Sequence, residues 1–402
     1  MRLRLHTQLM SLLTACLTMS VPAQAQPAVQ ATINQVPEVV YSYDRDRCEW
    51  NTIPDSPARA LRRDDGSIVL IAAHFRNRFF EGKDFSHLRL NCAAVSQAAE
   101  SSNPADFNDR VWIQALIPLP GGRVLGLASN EFWGRRHPGA CQLGPKEPLC
   151  WYMAVTALVA DQKNMEFQLL PRDRRVVIAA GEPYRSTMEG IGFPTTSNVI
   201  FANDAGHYDT DGKWAYAMVW SQGFVEGASS GSCLIRAPRQ DIASGIWEQL
   251  TSDGWRRTQD PYLAGKAETS RRCQQIGKGS LRSKIRSLVW LKREKVWIAT
   301  FMTRGLQTAA NVPDSGVFYA TSPDLLTWSK PNLLANFEPF WAEANCKEGF
   351  EYPSLIDHEA PDPTFQTTDG RLYLYLTRFD AASCRRKMDR DLVRYPVTIQ
   401  AR

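Results

Sequence analysis

The chain has 402 residues, 44% of them hydrophobic, 22% charged and 10% aromatic, with a formal net charge of +5. That composition excludes a disordered chain, a collagen and a coiled coil, and nucleic-acid binding needs a more concentrated basic patch than this mild balance provides. Past the N-terminus no stretch approaches the roughly 20 apolar residues that a membrane-spanning helix requires.

Arg2 and Arg4, the apolar run from Leu9 to Val21 and the small-x-small pattern Ala23-Gln24-Ala25 read as a secretory signal over residues 1–25. The expected destination is the periplasm or the medium. Leu13-Thr14-Ala15-Cys16 also resembles a bacterial lipobox, a competing processing site within an apolar run that continues beyond Cys16. Removing residues 1–25 takes the charge to +3, because Arg2 and Arg4 are the only charged residues in them. Setting Cys16 aside leaves Cys48, Cys92, Cys141, Cys150, Cys233, Cys273, Cys346 and Cys384. An even number in an exported chain predicts disulfides. Spacing alone leaves their connectivity open; sequential pairs, each tying one local unit, are the expectation. No Cys-x-x-Cys occurs, which argues against a zinc ribbon or a thioredoxin-like centre.

Residues 26–44 form a Gln-, Ala- and Pro-rich lead-in, in which Val39-Val40-Tyr41 could add a closing strand. From residue 45 to 402 a single domain is expected. Helical periodicity is scarce there; a strand, a tight turn and a second strand recur instead. The copies span residues 57–75, 111–129, 197–220, 285–301 and 352–379. They turn at Asp65-Gly66, Gly121-Gly122, Asp211-Gly212, Arg293-Glu294 and Asp369-Gly370. Asp-Gly and Gly-Gly supply the positive φ of tight hairpins. A further hairpin follows most copies, clearest at 315–329 and looser at 231–249 and 153–169, and residues 391–399 read as a last outer strand. Four strands per unit predict an all-β chain folded as a five-bladed β-propeller of four-stranded antiparallel blades. A large β-sandwich is the alternative architecture.

Ser322-Pro-Asp-Leu-Leu-Thr-Trp328 directly follows the strand-like Val317-Phe-Tyr-Ala-Thr. It resembles the turn between third and fourth strands in five-bladed glycoside hydrolases of families 43, 62, 117 and 130. It is one residue shorter than a sialidase Asp-box and lacks the central Gly. The stretches 196–220 and 351–379 resemble inner hairpins of the same enzymes. The resemblance spans residue 45 to the C-terminus by pattern, and it implies carboxylate acid/base chemistry on a carbohydrate in the central funnel.

Glycoside hydrolysis needs two carboxyl groups flanking the bond, and a third can raise the acid's pKa. Asp55, Asp109, Glu189 and Glu351 precede the first, second, third and fifth inner strands and are the catalytic candidates. By position, the resemblance implies Asp55 as base, Asp109 as modulator and Glu189 as acid, with Glu351 as the competing acid. Glu131, after the second hairpin, and Asp357 are weaker candidates. For substrate binding the candidates are His74, which ends the first hairpin, Trp133 in a loop-like setting, Arg282 and Arg286 around the fourth strand start, Tyr352 beside Glu351, and Arg378 at the end of the fifth copy. Arg forks suit carboxylates, so several facing the channel would indicate an anionic glycan. Bland readings stand beside these: loop carboxylates, paired arginines and aromatics filling space between blades.

No histidine has metal-ligand spacing to another. Family 43 relatives hold a central cation near a His, and Arg286 occupies the matching place here, so neither metal nor cofactor is expected. GxSxG, P-loop and dinucleotide motifs are missing. The expectation is a monomeric exported glycoside hydrolase-like enzyme. The alternative is a non-catalytic glycan-binding or scaffold propeller, since fold does not imply function. A lactonase-like metal propeller would need a His or carboxylate cage that the sequence does not supply.

Overall fold

Along the strand Trp214–Ser221, side chains alternate between two apolar surroundings. Ala215, Ala217 and Val219 enter one cluster, and Trp214, Tyr216 and Met218 enter the next. Arg371–Phe379 does the same, sending Leu372, Leu374 and Leu376 one way and Tyr375 the other. A sheet apolar on both faces must be covered on both. Stacking similar sheets in a ring meets that need without leaving an uncovered end.

The computed structural model describes residues 29–93, 96–145, 150–223, 230–263, 273–307, 313–341, 348–380 and 388–401. The signal-like segment, Cys16, Cys346 and Cys384 lie outside them. Five sheets form five blades. Blade I runs outward from Pro54–Arg62 through Ile68–Ala73 and Phe79–Gly82 to Arg89–Leu90. Blade II holds Arg110–Leu119, Arg123–Trp133, Trp151–Asp161 and Gln168–Leu169. Blade III holds Ile200–Ala202, Trp214–Ser221, Gly231–Pro238, Glu248–Thr251 and Gly254–Arg257. Blade IV holds Ser287–Leu291, Val296–Gln307, Pro313–Ser322 and Asn332–Ala335. Blade V contains Gly349–Ile356, Arg371–Phe379 and Arg390–Ala401. Apolar clusters lie between I and II, II and III, III and IV, IV and V, and V and I, which closes the circle.

The predicted hairpins are present, with two differences. In blades III and V, residues 203–213 and 357–370 separate the first two paired strands, so these connections are no tight hairpins. In blade V, Arg390–Ala401 is the third strand, and the N-terminal chain supplies the outer one. Val29–Ile33 pairs antiparallel with it from Val29 opposite Ala401 to Ile33 opposite Val397, and Glu38–Tyr41 pairs with its first half. The Tyr319 hydroxyl donates to the Val29 carbonyl at 3.0 Å and accepts from the Ala31 amide at 3.2 Å, tying this strand to blade IV. Three disulfides join Cys48 to Cys92, Cys141 to Cys150 and Cys233 to Cys273, in sequential order. Closing such loops restricts the unfolded chain. Among the described residues no helix is long and apolar enough to cross a membrane.

A buried guanidinium joins the inner strands. Arg59 donates to the Gln114 carbonyl of blade II at 2.6 Å, to Ser354 Oγ of blade V at 2.9 Å, and to the Arg286 carbonyl that opens blade IV. Burial, then the charge on Arg286, lowers its pKa to about 9, which leaves it a cation at neutral pH. Replacing Arg59 with Met would strand buried carbonyls at roughly 1–3 kcal/mol each. We expect Arg59→Met to destabilise the fold by about 3 kcal/mol or more, read as a lower urea midpoint with an unchanged slope; an unchanged midpoint would contradict this role.

Candidate functional site

The five inner strands present their first residues at the same end of the ring. There the Arg286 guanidinium donates to Thr195 Oγ1 at 2.9 Å, and Thr195 donates to Gln114 Oε1 at 2.8 Å. Arg286 also pairs with Glu351 at 2.7 Å. Tyr352, next in the chain, donates its hydroxyl to Asp55 Oδ1 at 3.1 Å, and Trp112 Nε1 donates to Asp55 Oδ2 at 3.2 Å. Every blade therefore contributes to one connected polar cluster.

Two backbone irregularities aim the key side chains. Pairing in blade I shifts register between Pro54 and Arg59, which frees Asp55 from the ladder. Blade V shifts between Glu351 and Ser354, and Tyr352 stands there at φ +60°, in the left-handed region. Such bulges redirect side chains and carry strain that functional sites commonly hold. Asp55 also pairs with Arg390, from the last strand, and lies 3.6 Å from His74 Nε2. Burial lowers the His74 pKa to about 4, against the pull of Asp55, so this imidazole is neutral at pH 7.

Glu131 lies opposite Arg110 near the end of the second strand of blade II. Its Oε2 accepts from Trp133 Nε1 at 3.0 Å and Trp151 Nε1 at 3.1 Å. Desolvation raises its pKa to about 7; the two indole bonds oppose the shift, and the charge on Asp55 adds to it. The residue as a whole is half-buried. Glu351 is buried, and desolvation raises its pKa against the opposing charges of Arg286 and Lys284. Its Oε2 has no hydrogen-bond partner among the described residues. Lys284, two residues before Arg286, is lowered to about 8 by desolvation and then by Arg286, while Glu351 and Glu131 pull it upward. Carboxyls pushed up beside a lysine pushed down are what burial does to a charged cluster, and such clusters mark functional sites.

The sequence candidates divide. Asp55, Glu351, Arg286, Tyr352 and His74 belong to the cluster, and Trp133, 36% exposed, joins through Glu131. Asp109 is buried at its edge, beside Arg110 in the chain. It accepts from the Trp133 amide at 2.9 Å and lies 3.0 Å from His137 Nε2, which pins the turn after the second strand of blade II. Glu189 is exposed between strands of blade II, and Arg282 is exposed ahead of blade IV; among the described residues no ion pair joins either to the cluster. Arg378 pairs with Asp391 at 2.6 Å. Asp357 follows its strand and lies at the opposite end. Sequence reasoning overlooked Arg59, Arg110, Lys284 and Arg390 and underweighted Glu131. The available signals were a lone charge inside the small-residue run Ala58-Arg59-Ala60 and the alternation Arg282, Lys284, Arg286. Among the described residues no group of three or more His, Cys, Asp or Glu side chains is arranged to hold a metal ion.

Three solved structures are similar to the chain over most of its length. The chain is similar to a protein of unknown function from Dyadobacter fermentans, at 9% identity and a TM-score of 0.49, over 93% of this chain and 100% of that one. It is similar to the α-L-arabinanase of Cellvibrio cellulosa complexed with arabinohexaose, at 11% identity and a TM-score of 0.44, over 85% and 91% of the two chains. A mutant of the GH43 protein BlXynB from Bacillus licheniformis aligns at 12% identity and a TM-score of 0.46, over 92% of this chain and 57% of that one. No family model matches the chain, and no curated protein matches it.

The raised pKa of Glu131 has a consequence for stability. The folded state holds this proton up to about pH 7, whereas an unfolded Glu releases it near 4.5. Stability therefore falls as pH rises from about 4.5 through about 7. Glu131→Gln, which cannot ionise, is expected to flatten this decline in urea titrations at successive pH values; a decline as steep as that of the unaltered protein would contradict the assignment.

Proposed function

We propose that the chain is an exported glycoside hydrolase-like enzyme that cleaves a poly- or oligosaccharide at the axial cluster. Glu131 is the general acid and Asp55 the general base or nucleophile. The supporting observation is the contrast between their settings. Glu131 sits among indoles and low-polarity surroundings that keep its proton near neutral pH, whereas Asp55 accepts from Tyr352, Trp112 and Arg390. Two carboxyls in opposed environments are what acid and base roles require.

In this reading Glu131 donates its proton to the glycosidic oxygen as the bond to the anomeric carbon breaks. Asp55 then either accepts a proton from the attacking water or attacks the anomeric carbon itself. Trp133 offers an aromatic face for a sugar ring, and neutral His74 offers a hydrogen bond without adding charge. Glu351, held by Arg286, contributes negative charge beneath the site. The disulfides fit an oxidising compartment, in agreement with the signal-like residues 1–25.

One observation favours a second reading, a glycan-binding propeller without turnover. The oxygens of Asp55 are already engaged by three side chains, and Glu351 is bound by Arg286. A screen of purified protein against plant and bacterial polysaccharides separates the two. Cleavage is expected, with activity falling above about pH 7 as Glu131 ionises. Asp55→Asn and Glu131→Gln should each lower turnover by roughly 10²–10⁴-fold while melting as folded proteins. Glycan binding without product, in the unaltered protein, would favour the binding reading.

A further inference from the structure

At the other end of the inner strands lies a cavity of about 1230 Å³. Arg110–Leu119 starts at the axial cluster and ends in the wall of this cavity, and the loops between the first two paired strands of blades III and V complete it. Prolines from blades II, III and V, together with Ile117, Phe201 and Ile242, make the wall more apolar than polar. Its charges balance: Arg123, Lys213 and Arg239 line it, and so do Asp211, Asp241 and Asp362. Arg123, Asp211 and Asp241 are exposed. Arg239 lies 4.4 Å over the Phe201 ring and donates to the Thr210 carbonyl, Lys213 lies 3.7 Å from Asp204, and Asp362 accepts from Thr364, Gln366 and Thr367. A charged ligand would therefore meet no free, buried counter-charge among the described residues.

One buried acceptor in the wall is unused. Gln366 is 3% exposed. Its backbone N–H donates to Asp362 Oδ1 at 3.0 Å, its backbone carbonyl accepts from the Trp290 amide at 2.8 Å, and its side-chain Nε2 donates to Thr364 Oγ1. Thr364 Oγ1 donates in turn to Asp362 at 3.1 Å, so it must accept from Gln366, which fixes the orientation of the side-chain amide. The group left over is Oε1, which has no partner among the described residues. Tyr208, also in the wall, is held rigidly, with the rings of Trp290 and Trp297 each 6.0 Å away.

Concave, largely apolar cavities with a few fixed polar groups are where small molecules bind, and buried polar groups are rarely left unpaired in native proteins. An acceptor calls for a donor on the ligand. A free sugar fits poorly, because its hydroxyls point in all directions and most would face hydrocarbon. A flat apolar ring with one hydroxyl satisfies both the wall and the acceptor. We propose that this cavity is a second binding site, for a neutral phenol or ring alcohol whose apolar body lies against the prolines and Phe201 and whose hydroxyl donates to Gln366 Oε1. Among the described residues none of the axial cluster lines the cavity, so the site stands apart from the carbohydrate reading.

The probes are p-cresol and its methyl ether, which share a ring and differ in the donor, titrated into the full protein and followed by ligand-observed NMR. p-Cresol is expected to bind at least tenfold more tightly than the ether, since only the phenol can pair the buried acceptor. Gln366→Leu should bring the two affinities to within about twofold by removing that acceptor. Ala243→Phe, which fills the cavity from the blade III wall, should weaken p-cresol at least tenfold. It leaves the hydrogen bonds of Gln366 intact, so it remains decisive if Gln366→Leu does not fold. Equal binding of the two probes, no binding of p-cresol at millimolar concentration, a preference kept in Gln366→Leu, or binding unaltered in Ala243→Phe overturns the proposal.

Discussion

The Arg59 guanidinium sets the geometry of everything above it. It sits buried where the inner strands meet, and its donors end on backbone or hydroxyl oxygens of blades II, IV and V. Inner strands cannot hydrogen-bond to one another around a propeller axis, because each belongs to its own sheet. A planar cation with five donors can reach several of them at once. The cost is a buried charge, and it is met by acceptors on all sides rather than by a single carboxylate. One consequence is that Arg286, whose carbonyl Arg59 holds, is placed to bind both Thr195 and Glu351.

Above this hub, the site is built from departures from ideal sheet structure. The register shifts in blades I and V lift Asp55 and Tyr352 out of their ladders and bring them into contact. The inner strand of blade II is bulged too, at Gln114, between Ile113 opposite Ala128 and Ala115 opposite Leu127. Regular pairing holds the frame still, and the bulges place chemistry on it. The electrostatics follow from the same burial: a shell of Trp112, Trp133 and Trp151 dries the cluster, which drives Glu131 toward its neutral form and lowers Lys284.

Asp-Gly and Gly-Gly turns were legible because positive φ leaves few residue choices. The connections in blades III and V were not, because Asp211-Gly212 and Asp369-Gly370 belong to longer loops, residues 203–213 and 357–370. Asp55 was found from its place before an inner strand. Glu189 shares that placement yet is exposed, and Asp109 lies at the cluster's edge with its carboxylate committed to the Trp133 amide and His137. Sequence position says where along a blade a residue falls, but not toward which side its carboxyl turns. Glu131 was underweighted because it sits on a second strand, and only the paired length of Arg123–Trp133 carries it to the same end as the inner-strand starts.

The order of residues along the chain determined the local units: which segments become strands, which faces are apolar and where the turns fall. These depend on period-two alternation and on backbone dihedral limits, both properties of neighbours. Ring closure by Val29–Ile33 against the C-terminal strand, and the meeting of Asp55, Glu131, Lys284 and Glu351, were decided by the tertiary structure alone. Those groups lie far apart in the chain. They become neighbours because each blade is rotated about a common axis, and the rotation comes from packing apolar faces between sheets, which no local window of residues contains.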